Sequence, residues 1–515
     1  MTSNNQLGRP ALMEFVGSAR APVRPGAWPR IEVSREGWTR AIRGLTEGWA
    51  LLALWADDGS IHMAILDEDE RSIAILSLPC PDGRYPSVSA HHPPALRLER
   101  AVRDLFGLEA DGAPDTRPWL DHGCWGVTHP LSAPAEPRSE GSCGPQAYAF
   151  LPSKGEGLHQ IAVGPVHAGV IEPGHFRFTV NGETVVRLEE RLGYTHKGIE
   201  GLMAGASLAK AAKLAARVSG DSTVAYSLAF AQAAESALNF EPSPRSTWLR
   251  ALMAELERLA NHLGDVGAIC NDAAFALLHA HCAVLREQVL RAAATAFGHR
   301  LMRDQIVPGG VAADLSGEGE AAIRSAIDTI ACRFPGLIEV YDETASLQDR
   351  TVATGILPAA LATQYAAGGY VGRASGRTFD ARRLPGYAPY DRLEFEVPLR
   401  EEGDVDARVW IRIREIEQSM RIVEQILAQL PAGPIAVPVP AAEATGEGAA
   451  LVEGFRGDVL VWLRVGADGN VLRCHLRDPS WFQWPLLEAA IAGNIVADFP
   501  LCNKSFNCAY SGHDL

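Results

Sequence analysis

The feature that most constrains the fold is a pair of long stripes of apolar residues at helical spacing. The first stripe follows Ser246, a residue type that commonly caps helices, and the second lies in the last third of the chain. Apolar residues at every third or fourth position place one face of a helix in a core. The second stripe could be taken for a coiled coil, but its isolation favours a core helix. The stripes consist of Leu249, Leu252, Met253, Leu256, Leu259 and Leu263, and of Val409, Ile413, Ile416, Met420, Val423, Leu427 and Leu430.

The chain divides at a segment that has no periodic pattern. Residues 127–158 are rich in proline, glycine and serine and are predicted to form a linker. Residues 27–126 combine short strand patterns with one amphipathic helix, which is typical of a small α/β domain. Residues 1–26 are polar, contain scattered prolines and are predicted to be a flexible tail. Residues 159–515 then form the second domain, and two domains suit a chain of 515 residues.

The second domain is predicted to be mostly helical with two β-regions. Its opening alternates apolar and polar residues around Asn181–Gly182, which is the signature of a β-hairpin. A small β-region is expected near residues 455–475. The fold class is therefore α+β, with a small N-terminal α/β domain and a mostly helical large domain that begins with a β-hairpin.

Charge and composition exclude several classes of protein. The 62 acidic residues outnumber the 47 lysines and arginines, so a nucleic-acid binder, which needs a basic surface, is disfavoured. A hydrophobic content of 47% excludes a disordered chain. No stretch is apolar enough for a membrane span, and the N-terminus lacks the pattern of a signal peptide. The sequence contains neither GxGxxG after a strand nor a GxxxxGK[ST] loop, so no bound nucleotide is expected.

The nine cysteines are scattered along the chain. Their number is odd and no CxxC occurs, so a disulfide framework is not expected. The pattern favours a reducing cytoplasm.

Seven segments of the second domain resemble, in order, one protein family. The family contains the large subunits of [NiFe] hydrogenases, especially group 4 enzymes of the formate-hydrogenlyase type, and the quinone-site subunit of respiratory complex I. The resemblance covers nearly all of residues 159–515 and implies the fold of that large subunit. The segments are Gly164–Glu200, Glu255–Gly267, Pro308–Val311, Gly372–Arg383, Pro389–Pro398, Gly403–Ser419 and Glu453–Val459.

The first domain resembles the small complex I subunit that packs beside the quinone-site subunit. The segments Tyr85–Val88, Leu98–Leu108 and Pro114–Arg117 carry this resemblance. The family marker Glu-Arg-Glu-x-x-Asp-x-Phe-Gly is present except that Ala101 replaces its second glutamate. Fusion of the two subunits in one chain is typical of the formate-hydrogenlyase type.

The positions that would hold nickel and iron depart from the family pattern. The resemblance places the four thiolates of that site at Ser219, Ser222, Cys508 and Ser511, so three of the four positions carry hydroxyls. Serine is a hard, neutral ligand and does not replace thiolate. Cys502 could be recruited, yet two sulfurs do not make a four-sulfur site, and both cysteines are more simply buried structural residues. No metal is therefore predicted.

Asp221 has two interpretations. Its carboxylate could attract a hard cation such as Mg²⁺, but a helix cap or an ion pair is the simpler reading.

The argument for quinone reduction of the complex I type is also weak. The resemblance implies two quinone-site histidines, of which His167 is present and the second is Ile171. The expected tyrosine falls close to Gly220, although Tyr226 could serve instead. Asp272 matches a family acid, and this residue could equally be a cap or core residue. The sequence therefore neither establishes nor excludes a bound quinone.

Two further positions are candidates by resemblance. Glu200 matches a glutamate thought to relay protons in energy-converting hydrogenases, where a raised pKa would suit it, but an ion pair with Lys197 is the alternative. Arg373 belongs, with Asp380 and Arg382, to a region that the family places at the cavity and the iron–sulfur subunit. A structural arginine–carboxylate network is favoured there.

Several histidines and aromatic residues are predicted to be structural. Lone histidines in such positions more often satisfy a core than a cofactor, and a tryptophan-rich cluster more often forms a core or interface than a ligand box. These residues are His196, His262 and His475, and Trp481, Phe482 and Trp484.

The candidate catalytic residues are thus Glu200, Asp221 and Asp272, and the candidate cofactor-binding residues are His167, Ser219, Ser222 and Arg373. We expect a peripheral-arm subunit of a complex I-like or hydrogenase-4-like redox complex, with electron transfer coupled to ion translocation.

Its expected partners are a small iron–sulfur subunit, which carries the cluster, and membrane ion-translocating subunits. Its expected place is the cytoplasmic side of the inner membrane. The alternatives are an active nickel-containing hydrogenase and a catalytically silent scaffold.

Overall fold

The fold is taken from a computed structural model, which describes residues 11–16, 28–132, 136–138, 144, 147–167 and 171–515. The chain forms two compact units, Met1–Ala149 with Gln364–Ala366, and Phe150–Thr363 with Ala367–Leu515. Most of the predicted tail and part of the predicted linker lie outside the described residues, so the domain boundaries stay a prediction.

The first unit is built on a four-stranded sheet whose strands, in spatial order, are Arg30–Glu32, Ser72–Pro79, Ser60–Asp67 and Ala50–Asp57. Asp57 pairs with Ser60 across a two-residue turn, in which Asp58 and Gly59 both have positive φ, as a tight hairpin requires. The helices are α1 (Leu12–Val16), α2 (Arg35–Thr46) and α3 (Leu96–Phe106), and the strands are β1 (Arg30–Glu32), β2 (Ala50–Asp57), β3 (Ser60–Asp67), β4 (Ser72–Pro79), β5 (Arg84–Pro86), β6 (Glu109–Asp111), β7 (Val127–Thr128) and β8 (Glu136–Pro137).

The marker residues on α3 hold this unit together. The Glu99 carboxylate accepts hydrogen bonds from the amide of Val88 and from two nearby serine hydroxyls. Asp104 accepts hydrogen bonds from the amides of Trp119 and Leu120. Both carboxylates are buried, so the marker organises the loops around the helix.

The second unit contains three small sheets and most of the helices. Strands β9 (Leu158–Val163), β10 (His175–Asn181) and β11 (Thr184–Arg191) form the first sheet, which contains the predicted hairpin; its turn residues are Gly182 and Glu183. Strands β12 (Ile306–Val307) and β13 (Gly310–Val311) form the second. Strands β14 (Gly446–Glu453), β15 (Asp458–Val465) and β16 (Val471–Arg477) form the third.

The helices of this region build one hydrophobic core. Both predicted stripes lie in core helices, and the first helix begins at Pro244 with Ser243, rather than Ser246, as its cap. The helices are α4 (Ile199–Met203), α5 (Leu208–Ala215), α6 (Thr223–Leu238), α7 (Pro244–Asp272), α8 (Ala276–Phe297), α9 (Gly317–Glu343), α10 (Ala345–Thr351), α11 (Ala359–Gln364), α12 (Gly369–Arg373), α13 (Val405–Gln429), α14 (Ser480–Ala490), α15 (Phe499–Phe506) and α16 (Tyr510–Asp514).

The third sheet packs closely against α6. A Cβ at Gly446 would lie 2.2 Å from the Ala237 carbonyl oxygen, and one at Gly448 would lie 2.1 Å from that of Ala233. Only glycine allows this approach, which fixes the position of β14 against the helix. The α+β prediction is confirmed. Among the described residues, no helix is both long and apolar enough to cross a bilayer.

Candidate functional site

A polar cavity of about 320 Å³ lies where four segments of the second unit converge. These segments are residues 171–172, the turn before α6, the turn between β14 and β15, and residues 503–511. The charged groups on its wall are Glu172, Asp221, Arg456 and Lys504, and the other lining residues are Ile171, Ser219, Gly220, Asn503, Asn507, Cys508, Ala509, Tyr510 and Ser511. We call this space the serine pocket.

An ion pair lies on the wall of the serine pocket. The Arg456 Nη2 atom lies 2.6 Å from Asp221 Oδ2, and Nη1 lies 2.7 Å from Oδ1. Arg456 is buried, whereas 37% of the Asp221 side chain is exposed. Burial acts to raise the pKa of Asp221, but the Arg456 charge and hydrogen bonds lower it to about 2. Asp221 is therefore an ionised partner of Arg456, as the simpler reading predicted.

The four family ligand positions surround this pair. The Ser219 hydroxyl donates to Asp221 Oδ1 at 2.7 Å, and Arg456 Nη1 donates to the Ser222 hydroxyl at 3.2 Å. Cys508 and Ser511 line the same pocket. One sulfur and three hydroxyls do not supply the donors of a nickel–iron site. The described residues also contain no cluster of three or more histidine, cysteine, aspartate or glutamate side chains arranged to hold a metal.

Cys502 does not replace a missing ligand. It is buried beside Gly355 and Arg408 and is not among the residues that line the serine pocket. Burial raises the pKa of its thiol to about 11, which disfavours the thiolate that metals bind. Its burial away from the pocket supports the interpretation of Cys502 as a structural cysteine.

Glu200 forms an ion pair, but with Arg473 and His475 and not with Lys197, the partner that the ion-pair alternative named. Glu200 Oε2 lies 2.8 Å from the Arg473 guanidinium, and Oε1 lies 2.9 Å from the His475 ring. Burial acts to raise the pKa, but these two groups lower it to about 2. Lys197 instead donates to the carbonyl oxygens of Val218 and Ser511. Strand β16 explains the pairing, since residues two apart face the same side.

The quinone-site candidates are not brought together at the serine pocket. His167 contacts the Gly174 carbonyl oxygen at 2.8 Å, and Asp272 is the last residue of α7; neither lines the pocket. Tyr226 is buried and donates to Asp478 Oδ2 at 2.6 Å, so its hydroxyl is already engaged. Burial raises the pKa of Asp272, which the charge of Lys504 partly offsets.

Arg373 belongs to a buried network that we call the Arg373 cluster. Its Nη2 lies 2.6 Å from Glu415, and its Nη1 lies 2.9 Å from Glu453 and 3.6 Å from Asp380. Every member is at most 2% exposed. The members are Glu255, Arg258, His262, Arg373, Asp380, Arg382, Glu415 and Glu453. This arrangement supports the structural reading of Arg373.

The residues predicted to be structural are also bonded or buried. His262 bonds Glu415 at 2.7 Å, and His196 bonds the Asp514 carbonyl oxygen at 2.7 Å. Trp481, Phe482 and Trp484 are buried.

Three charged residues of this region, Arg456, Lys504 and Glu257, were not predicted from the sequence as site residues. Arg456 stands between two glycines, Gly454 and Gly457, in a family motif, and this tight turn is the signal that could have drawn attention to it. Glu257 is buried and accepts hydrogen bonds from the amides of Val224 and Ala225 at the start of α6. Burial raises its pKa to about 8.

The fold and this pocket define a fused complex I-type subunit with the fold of the hydrogenase large subunit. Residues 31–140 match the family described as respiratory-chain NADH dehydrogenase, 30 Kd subunit, and residues 274–445 match the family of the 49 Kd subunit.

Curated relatives agree with this assignment. The carbon monoxide-induced hydrogenase of Rhodospirillum rubrum is 32% identical over 351 residues, 68% of this chain and 97% of the relative. Formate hydrogenlyase subunit 5 of Escherichia coli is 30% identical over 440 residues, which are 84% of this chain and 77% of the relative. An NADH-quinone oxidoreductase subunit of Dehalococcoides mccartyi is 30% identical over 345 residues, which are 66% of this chain and 93% of the relative. The chain belongs to this family of complex I and group 4 hydrogenase subunits.

A solved structure shares the fold. A chain in the structure of the membrane-bound sulfane sulfur reductase, an archaeal respiratory membrane complex, superposes with a TM-score of 0.66 at 24% identity. The match covers 70% of this chain and 99% of that one. It supports the fold alone.

Proposed function

We propose that the chain is a peripheral subunit of a membrane-attached, complex I-like redox complex, and that its serine pocket works without nickel and iron. The observation that carries the proposal is the replacement of three thiolate positions by hydroxyls around the Asp221–Arg456 ion pair. Function is assigned from the site because one fold can host several chemistries.

The proposed partners follow from the cysteine pattern of the chain and from its relatives. The cysteines do not form a four-cysteine cluster motif, so an iron–sulfur cluster belongs to a small partner subunit. Membrane subunits would translocate the ion, and the chain would dock on them by protein contacts at the cytoplasmic side. Relatives are named as parts of hydrogenase, formate hydrogenlyase and NADH-quinone oxidoreductase systems.

The serine pocket offers hydrogen-bond donors to an organic electron acceptor. Lys504, Asn503 and Ser511 line it with ammonium, amide and hydroxyl groups. Such donors stabilise the negative charge that develops on a carbonyl oxygen during reduction. A quinone-like acceptor is the class that we propose.

Element analysis of the complex, purified with its partners, is the direct test of the nickel-free proposal. We expect far less than one nickel atom per chain, because one thiolate position remains where four are required. A hydrogenase that holds nickel, carried through the same purification, is the control for metal loss. Near-stoichiometric nickel in this complex would overturn the proposal and restore the hydrogenase alternative.

Replacement of Lys504 tests an active pocket against a silent scaffold. In the Lys504→Met complex we expect electron transfer to slow about ten- to a hundredfold, the loss typical of a charge-assisted hydrogen bond. Lys210→Met, at an exposed position on α5, should leave the rate unchanged. Equal rates in all three complexes, with the variant subunit still assembled, would favour the scaffold.

A further inference from the structure

The charges of the Arg373 cluster do not balance. It contains three guanidinium groups, on Arg258, Arg373 and Arg382, and four carboxyl groups, on Glu255, Asp380, Glu415 and Glu453. A fully ionised cluster would therefore bury one net negative charge. Burying an unbalanced charge is costly, so such groups commonly neutralise by binding a proton.

Three arginines outside the cluster, Arg412, Arg456 and Arg477, are each paired with an aspartate and do not supply the missing positive charge. Arg412 pairs with Asp265 at 3.1 Å, and Arg477 pairs with Asp458. The Asp458 carboxylate, moreover, acts to raise the pKa of Glu453. Arg456, which follows Glu453 in the same turn, is committed to Asp221.

His262 is a poor place for the balancing proton. Its Nε2 atom already bonds Glu415 at 2.7 Å, which a neutral ring can do as a donor. Its Nδ1 atom is buried without a hydrogen-bond partner among the described residues. Protonation would place an N–H group there with no acceptor, a cost that a neutral ring avoids. Burial accordingly lowers the pKa of His262.

We propose that the Arg373 cluster is a proton-binding site in which Glu453 holds one exchangeable proton. Glu453 and Asp380 face the same atom, Arg373 Nη1, at 2.9 and 3.6 Å, which brings two like charges together. Asp380 also accepts from the Arg382 guanidinium on both of its oxygens, at 3.0 and 2.7 Å, whereas Glu453 has Arg373 on one oxygen and the Ala381 amide on the other. Glu255 and Glu415 likewise have an arginine, hydroxyl or imidazole donor on each oxygen. Burial and the Asp380 charge raise the pKa of Glu453.

The position of Glu453 connects this site to the serine pocket. Glu453 ends β14, and Arg456 lies three residues later in the turn that leads to β15. Negative charge added at the pocket, such as an arriving electron, would strengthen proton binding at Glu453. The site thus suits a complex that couples electron transfer to proton movement, whatever the electron acceptor is.

Infrared spectroscopy of the whole complex tests the proposal. We expect the protonated-carboxyl band to contain a Glu453 component at about pH 6 that weakens as the pH rises to about 9, because the Glu453 proton leaves to solvent. In the Glu453→Gln complex this component should be absent, and the pH response that remains should be that of Glu257, whose pKa is also raised. Glu257→Gln is the control, because it removes another buried carboxyl and should leave the Glu453 component in place.

Two outcomes would overturn the inference. One is a protonated-carboxyl spectrum that is the same in Glu453→Gln and wild type. The other is a proton on His262, visible as imidazolium bands that titrate in place of the carboxyl band. Should Glu453→Gln fail to assemble, ¹³C-glutamate labelling in the Glu257→Gln background provides the same test. The label shifts the protonated-carboxyl band only if a glutamate holds the proton.

Discussion

Replacing Arg373 with methionine is expected to abolish stable folding of the second unit or to cost at least about 3–5 kcal/mol of unfolding free energy. The substitution removes the guanidinium that contacts Glu415, Glu453 and Asp380, all of them buried. Removing one partner of a buried pair is costly because the remaining charge has neither water nor a counter-ion. Methionine fills much of the volume of the arginine side chain, so the lost unfolding free energy reflects the missing charge more than lost packing.

Denaturant unfolding of the chain in its complex would measure this effect. Arg291→Met is the matched control, because Arg291 is paired with Glu287 on the exposed face of α8 and its side chain is 79% exposed. We expect this control to change the stability by less than about 1 kcal/mol. If Arg373→Met were as stable as the control, the cluster would contribute little to the fold.

The second large effect is expected at Glu200. Its pKa falls from 4.5 to about 2 on folding, because Arg473 and His475 outweigh the cost of burial. The difference corresponds to roughly 3 kcal/mol of stability at neutral pH. A lowered carboxyl pKa stabilises the fold above the unfolded pKa, and this contribution is lost as the pH falls from about 5 to about 2.

The Glu200→Gln variant should therefore be less stable than wild type by about 3 kcal/mol at pH 7, and the gap should close towards pH 2. The gap between the two proteins isolates Glu200 from the other carboxylates that titrate in acid. Glu287→Gln, at an exposed ion pair, should show little gap at any pH. A gap for Glu200→Gln that stayed constant down to pH 2 would contradict the ion-pair assignment.

The sequence carried enough information for the fold and for the location of the pocket. The stripes of α7 and α13 and the hairpin of the second unit depend on local spacing and turn chemistry, which single sequences display. The resemblance also placed Ser219, Cys508 and Ser511 in one site, and they line one pocket.

The ionic partners of the site residues could not be predicted in the same way. Arg456 and Asp221 are 235 positions apart, and Arg473 and Glu200 are 273 positions apart. No local pattern indicates which of many arginines meets a given carboxylate after folding. The sequence therefore indicated only the nearby Lys197 as a partner for Glu200. The lowered pKa of Glu200 depends on its true partners, Arg473 and His475.

The Asp221–Arg456 pair has a consequence for any attempt to build a metal centre into the pocket. A single serine-to-cysteine substitution would place a second sulfur beside a carboxylate and a guanidinium that already satisfy each other. Four sulfurs would require cysteine at Ser219, Ser222 and Ser511 together, beside Cys508. The ion pair would then lie inside the new ligand set, so a design for nickel has to replace the pair as well as the serines.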